Sequence, residues 1–430
     1  MFSRRRFLQS TTTAASVAAL SHLASASEAS SDCKPQSPAI AKLQSLKEQA
    51  QPITAQERSE RQEKARNLMQ TSGIDAIVLM PGTSLRYFIG VDWWPSERMF
   101  AMVLPAKGKA FLVCPAFEQG RAEEQLAKSG LASGADIRIW QEDESPYQRI
   151  AQGLHDLGLS SGTIGMEETV RFAFSDAIAK VVPQAKLVSA TPVTAGCRMI
   201  KSAHEIALVR LACKATMNVY EATFKSLQPG MKDSDIQNLV HSGYERVGFQ
   251  GEVIVAIAEN SGSPHGSTVP QVIREGSIIL IDDGCDVEGY TSDITRTFVL
   301  GKPTDKMKTV FEVVHRAQSA ALAAARPGVP CESVDATARK VITDAGFGPD
   351  YKYFTHRVGH GMGMDIHEWP YLVRGNATRL QANMMFSDEP GIYIPGEFGI
   401  RLEDDMHITK NGAELLTTQS PSLTDPFAAA

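Results

Sequence analysis

With 430 residues the chain is too long for a single hydrophobic core, so two or three domains are expected. Its composition, 43% hydrophobic and 21% charged with no low-complexity tract, is that of an ordinary globular protein. A net charge of −6 argues against nucleic acid or an anionic membrane surface as the main partner, because phosphate binding needs a concentrated basic face. No apolar run beyond the N-terminus is long enough to span a bilayer.

The first 26 residues read as a targeting segment rather than as part of the fold. Ser3-Arg4-Arg5-Arg6-Phe7-Leu8-Gln9 precedes an uncharged stretch over 10–20, and Ala24-Ser25-Ala26 supplies a small-residue cleavage site. The segment resembles a twin-arginine export signal, with Gln9 where that pattern has lysine. The resemblance implies the twin-arginine export machinery as a partner and a periplasmic or exported mature chain that is free of the membrane once the signal is removed. The six cysteines (Cys33, Cys114, Cys197, Cys213, Cys285, Cys331) are scattered without a CxxC pair, and read as free thiols, mostly buried.

Residues 27–53 are polar and rich in Ser, Ala and Gln, and read as a linker leading into a first helix. Over 54–192 apolar runs at 75–80, 99–104, 110–114, 137–140 and 187–189 read as buried strands, and 116–128 and 147–157 carry helical spacing. That alternation predicts an α/β domain. A boundary is expected near 192–201, the second domain running over 193–430. Ser202 and Glu205 form a capping box, and Ile206, Val209, Cys213, Met217, Tyr220 and Phe224 give the following helix an apolar stripe, which Pro229-Gly230 stops. Helical segments recur at 305–325 and 331–345, followed by strand-like runs, as in an internally duplicated α+β domain, although the halves do not repeat residue by residue. Neither a Walker-type phosphate loop nor a G-x-S-x-G nucleophile turn is present.

The acids and histidines of the second half are unevenly placed. Asp282 ends an apolar strand over 277–281, Gly284 turns the chain, and Asp293 lies in the strand-like run 290–300. A hairpin would bring these carboxylates together, where they repel each other unless a cation neutralises them. Taken alone, the pair reads rather as surface acids flanking a turn. His356, His360 and His367 fall within twelve residues, among glycines at 359, 361 and 363 that permit close backbone approach. Glu389 follows the strand-like run 384–387, and Glu403 follows 400–402, positions where an acid is costly without arginine or metal. Four carboxylates with one imidazole suit a pair of divalent ions, Mn²⁺ first, with Co²⁺, Zn²⁺ or Fe²⁺ tolerated.

At these residues the chain resembles the pita-bread metallopeptidases: aminopeptidase P, prolidase, methionine aminopeptidase and the creatinases. The matching runs are IDDGCDVEGYTSDITRTF (281–298), GHGMGMDIHEWP (359–370), SDEPGIYIPG (387–396) and GIRLED (399–404), with a looser match to the creatinase-type first domain at 73–77 and 87–90. The resemblance implies an α/β creatinase-like N-terminal domain followed by an α+β pita-bread catalytic domain. It makes Asp282 a ligand of one metal, Asp293 and Glu403 bridging ligands, and His360 and Glu389 ligands of the second. Asp282 is preferred to Asp283 because it lies eleven residues before Asp293 and shares a strand face with Leu280.

The same resemblance implies hydrolysis of a peptide bond, either the Xaa-Pro bond at a peptide's N-terminus or that of a dipeptide, by water that the metals acidify. Glu389 would carry the proton, His265 and His367 would donate to the substrate carbonyl oxygen, and Arg401 and His356 would orient the carboxylates. Trp369, Tyr371 and the loop around His265 are expected to wall the pocket, and Trp93 and Trp94 to cap it from a partner subunit of a homodimer or homotetramer. The scaffold also carries non-peptide hydrolases, lyases and non-catalytic binding modules; the five ligand positions set this chain apart from relatives that lack them.

Overall fold

The computed structural model describes residues 37–131 and 134–428, so the leader expected over 1–26 and the first part of the linker lie outside the described residues. The remainder of that linker is packed, contrary to expectation. Ile40, Leu46 and Ile53 are buried in the core of the catalytic half. The Leu46 amide donates to the Val247 carbonyl at 2.8 Å. The apolar residues among the Ser and Gln are spaced so that short helical turns, Pro38–Ala41 and Lys47–Gln49, bury them.

The first domain is built on a six-stranded mixed sheet. In spatial order its strands are Asp136–Trp140, Phe111–Pro115, Ala101–Pro105, Ala76–Leu79, Thr163–Met166 and Lys186–Ser189. The middle strands are buried along their whole length, with an apolar cluster on each face, which is why they read as continuous apolar runs rather than alternating ones. Thr163–Met166, with one glycine and four residues, carries too little pattern to be read from sequence. Helix Ala55–Ser72 begins at a Thr54/Glu57 capping box and ends at Gly73 in the left-handed conformation (φ 64°). The expected boundary also moves. Helix Thr191–Met199 places Val193 and Cys197 in the first domain's core, so the break falls after it, just before the Ser202/Glu205 capping box.

The catalytic half repeats one theme. Helices Ala203–Phe224 and Asp233–Val247 lie with an antiparallel sheet of Gln250–Ile257, Ile278–Val287 and Ile294–Val299. Helices Asp305–Ala324 and Cys331–Asp344 lie with a second antiparallel sheet, Glu368–Leu372, Gly359–Gly361, Met385–Asp388, Asp404–Ile408 and Ala413–Leu415, and a ribbon of Gly391–Ile394 and Phe398–Arg401 accompanies it. Each half has its own apolar core. The five described cysteines are buried free thiols. No helix among the described residues is long and apolar enough to cross a membrane.

Candidate active site

Asp282 does not end its strand. The strand runs from Ile278 to Val287 and turns at Glu288-Gly289, both with positive φ, so the expected turn at Gly284 is displaced. Gly284 serves instead for close approach: a Cβ there would lie 2.8 Å from the Ser292 carbonyl oxygen. The partner run 290–300 is interrupted after Thr291 and resumes at Ile294. In the gap the Asp293 amide donates to the Asp405 carboxylate at 3.1 Å. The pairing that resumes sets Thr295 opposite Asp282.

The other ligating candidates arrive from the second sheet. His360 sits in the short strand Gly359–Gly361, and its amide donates to the Ser387 hydroxyl at 3.1 Å. Gly359 is obligatory, since a Cβ would meet the Ser387 carbonyl oxygen at 2.1 Å. Glu389 follows Met385–Asp388, tied by its amide to the Val358 carbonyl at 2.8 Å. Glu403 precedes Asp404–Ile408 and is tied to the Thr295 carbonyl at 3.2 Å. Two sheets therefore deliver one cluster. Ligand atoms of Asp282, Asp293 and Glu403 lie within 4.8 Å of one another, as do those of His360, Glu389 and Glu403. His360 Nε2 stands 3.4 Å from Asp293 and 3.3 Å from Glu389.

This cluster lies against a cavity of about 590 Å³ that His265, His356, His367 and Arg401 also line, so all nine sequence-assigned residues meet at one site. His367 stands at the exposed rim with its ring 4.0 Å from that of His360. Burial, then the His360 charge, pushes its pKa down to about 4, so its imidazole is neutral near pH 7. His356 Nε2 meets the Tyr393 hydroxyl at 2.8 Å, and its Nδ1 lies 3.5 Å from Glu389; burial holds its pKa below the usual histidine value. Arg401 donates to Asp282 at 2.5 Å, to the Tyr393 hydroxyl at 2.8 Å and to Thr295 at 2.9 Å, with Glu403 3.7 Å away. Trp93 is no cap: it is buried and stacks on Phe100 at 4.2 Å between centroids, whereas Trp94 is 79% exposed. Trp369 and Tyr371 line a neighbouring cavity of about 280 Å³ that shares His367.

Several residues that hold the site were not assigned from sequence. Thr295 donates to Glu403 at 2.5 Å. Arg296, fully buried, donates to the Glu403 carbonyl at 2.8 Å and to Asp404 at 2.6 Å. Both lie in the ITRT run beside Asp293, where a cation inside an apolar strand is the available signal. Tyr393, which joins Arg401 to His356, carries no such mark.

The electrostatics show what the cluster lacks. Burial first, then neighbouring carboxylates, holds Asp293 and Glu403 well above the ordinary carboxyl range. Burial also works against Glu389, but His356, His360 and Arg401 outweigh it and bring that carboxyl to about 2. Four facing carboxylates, with Arg401 the one arginine or lysine bonded to them among the described residues, are short of positive charge. Oxygen-rich donors with one imidazole nitrogen fit divalent metal ions at this place.

The sequence profile of the metallopeptidase family M24 matches residues 207–410, and that of the creatinase/prolidase N-terminal domain matches 61–200. The chain belongs to the M24 metallopeptidase family. The Xaa-Pro dipeptidase of Lactobacillus delbrueckii subsp. lactis is 32% identical over 369 residues, covering 84% of this chain and 97% of the relative. The crystal structure of dipeptidase PepE from Mycobacterium ulcerans superposes with a TM-score of 0.81 at 33% identity, covering 87% of this chain and 99% of that one. The prolidase of Thermococcus sibiricus superposes with a TM-score of 0.78 at 29% identity, covering 85% and 98%. The fold is therefore a creatinase-type N-terminal domain followed by a pita-bread catalytic domain, and the protein is a metallopeptidase.

Proposed function

We propose that this metallopeptidase hydrolyses the Xaa-Pro bond of dipeptides. The observation that carries this reading is the convergence of Asp282, Asp293, His360, Glu389 and Glu403 on one cavity wall, with His367 beside them. The names of the similar proteins support the dipeptide as substrate. Asp282, Asp293, His360, Glu389 and Glu403 would hold two divalent metal ions, with manganese the preferred ion. When bound, the two cations neutralise the carboxylates and lower the pKa of water enough to furnish a nucleophile at neutral pH.

The chain's own residues do the rest. Glu389 takes the proton released by the attacking water and passes it to the leaving proline nitrogen. His367 and His265 donate hydrogen bonds to the carbonyl oxygen as negative charge develops on it. Arg401 fixes Asp282 and Glu403, and His356, through Tyr393, buttresses Arg401. Proline suits the reaction because its imide nitrogen has no N–H to satisfy and its fixed φ presents a compact ring. The division at 192/193, corrected to follow Met199, separates the two domains functionally as well, since every proposed ligand lies beyond it. The leader over 1–26 supports export through the twin-arginine machinery to the periplasm, and a homodimer or homotetramer is the assembly we assign.

The test is a panel of Gly-Pro, Ala-Pro, Ala-Pro-Ala, Ala-Ala-Ala and creatine with Mn²⁺, read by mass spectrometry. Cleavage of the two Xaa-Pro dipeptides, lost on chelation and restored by Mn²⁺ or Co²⁺, is expected, and Glu403→Ala should lose metal by elemental analysis. Faster cleavage of Ala-Pro-Ala than of Ala-Pro would make it an aminopeptidase, and full activity without metal would overturn the metal assignment.

A further inference from the structure

Among the described residues the His367 ring forms no hydrogen bond, and its close ring neighbour is His360, 4.0 Å away between centroids. Its position is therefore set by the segment that carries it, 362–367, between the strands Gly359–Gly361 and Glu368–Leu372. That segment is a thin partition. Ile366 and His367 line the cavity of about 590 Å³, while Asp365 and His367 line the neighbouring cavity of about 280 Å³. With open space on both sides, apolar packing contributes little to fixing the loop, and its polar ties must do so.

The side-chain ties nearest the histidine come from the first domain. The Thr83 hydroxyl donates to one oxygen of the Asp365 carboxylate, and Arg198 donates to the other at 2.5 Å. Thr83 opens helix Thr83–Ile89, just beyond the central strand Ala76–Leu79, and Arg198 belongs to helix Thr191–Met199. The Arg198 side chain is 11% exposed and also lies 3.1 Å from Glu368, so it grips residues on either side of His367. Among the described residues, the Asp365 carboxylate has no partner from the catalytic domain.

We propose that the first domain, through Thr83 and Arg198 acting on Asp365, fixes the place of His367 in the active site. A domain that supplies none of the proposed metal ligands thus sets how well the transition state is stabilised. The inference rests on the donor role given to His367 and names what positions that donor. A donor to a developing oxyanion must sit within about 2.7–3.1 Å of it, and a displacement of about 1 Å costs on the order of 10²-fold in rate. Thr83, Arg198 and Asp365 do not line the cavity that holds the ligand cluster, so they are positioning residues that act through the loop. The Asp365 side chain is 42% exposed, so altering it shifts the loop at little cost to folding, whereas Glu368 beside it is buried.

The test measures kcat, KM and metal content of Thr83→Val, Thr83→Ser and Asp365→Asn, each alone and combined with His367→Ala, on the peptide that the parent cleaves fastest. Thr83→Val and Asp365→Asn should keep their metal and KM and lose about 10- to 100-fold in kcat. Thr83→Ser, which retains the hydroxyl, should keep most of the parent's kcat. With His367→Ala present, the same substitutions should cost nothing further, because the group they position is gone. Equal losses with and without His367, an unchanged kcat in both Thr83→Val and Asp365→Asn, or Thr83→Ser as slow as Thr83→Val would overturn the proposal. Asp365→Asn serves if Thr83→Val folds poorly. Failure of the donor role shows separately, as a His367→Ala enzyme with the parent's kcat. In that event, or if no peptide is cleaved, histidine-ring NMR decides. A His367 resonance shifted or broadened in Thr83→Val but not in Thr83→Ser supports the tether, and an unaltered resonance overturns it.

Discussion

Replacing Glu368 with glutamine removes the negative charge at the buried joint between the first domain and the loop that carries His367. Glu368 accepts from Lys201 Nζ at 3.2 Å and from the Met364 and Asp365 amides at 2.9 and 3.0 Å, and Arg198 lies 3.1 Å away. The side chains of Lys201 and Glu368 are each only 2% exposed. Glutamine preserves the volume but leaves Lys201 a buried cation without an anion, so the loss should be about 3–5 kcal/mol, the cost of breaking a buried pair from one side. Lys201→Met should cost less, about 1.5–3 kcal/mol, because Arg198 and two amides still serve the carboxylate. The double variant should fall short of the sum, since one interaction is removed twice.

The pH dependence has a definite sign. Burial raises the Glu368 pKa, but Lys201, Arg198 and its hydrogen bonds outweigh it, so the folded-state value lies below the ordinary one. Its stabilisation is therefore complete above the ordinary carboxyl range and is lost as pH falls through the folded value. The gap between parent and Glu368→Gln should be widest near pH 8 and shrink on acidification. Urea denaturation of the metal-free proteins measures both quantities without a contribution from metal binding. A gap below about 1 kcal/mol at pH 8, or one that widens in acid, would refute the reasoning. Because His367 adjoins Glu368, kcat should fall as well, by up to about 10²-fold for a 1 Å displacement.

His367→Ala should keep its metal by elemental analysis yet lose about 10²–10³-fold in kcat, the scale of one hydrogen-bond donor to a developing oxyanion; an unchanged kcat would return His367 to a structural role. Substituting Lys for Arg4, Arg5 and Arg6 should leave a folded, active enzyme unprocessed in the cytoplasm, as judged by fractionation and N-terminal mass. Normal processing of that variant would refute the twin-arginine assignment.

The parts of this protein legible in its sequence are those whose physics is local. The Ser202/Glu205 capping box needs residues three apart, and the structure contains it with both hydrogen bonds formed. Buried strands of the first domain declare themselves as short apolar runs because both faces are covered. Each metal-ligating candidate is an acid or histidine in a strand or glycine-rich run where an unpaired polar group is expensive, which singles these residues out, but it took the resemblance to a known family to join them into one ligand set.

What sequence left open are pairings made across the fold. Gly284 illustrates the ambiguity: glycine marks either a turn or a close backbone approach, and only the neighbouring Ser292 carbonyl decides for the second. The residues at 37–53 are polar by count, yet three apolar side chains at suitable spacing pin them to a core that lies far along the chain. Arg296 with Asp404, and Lys201 with Glu368, lie more than a hundred residues apart and carry no mutual signature, although each pair supports a segment bearing a proposed site residue. Candidate ligands draw notice by local cost because each is unusual where it stands. The groups that position them become unusual only once the chain has folded.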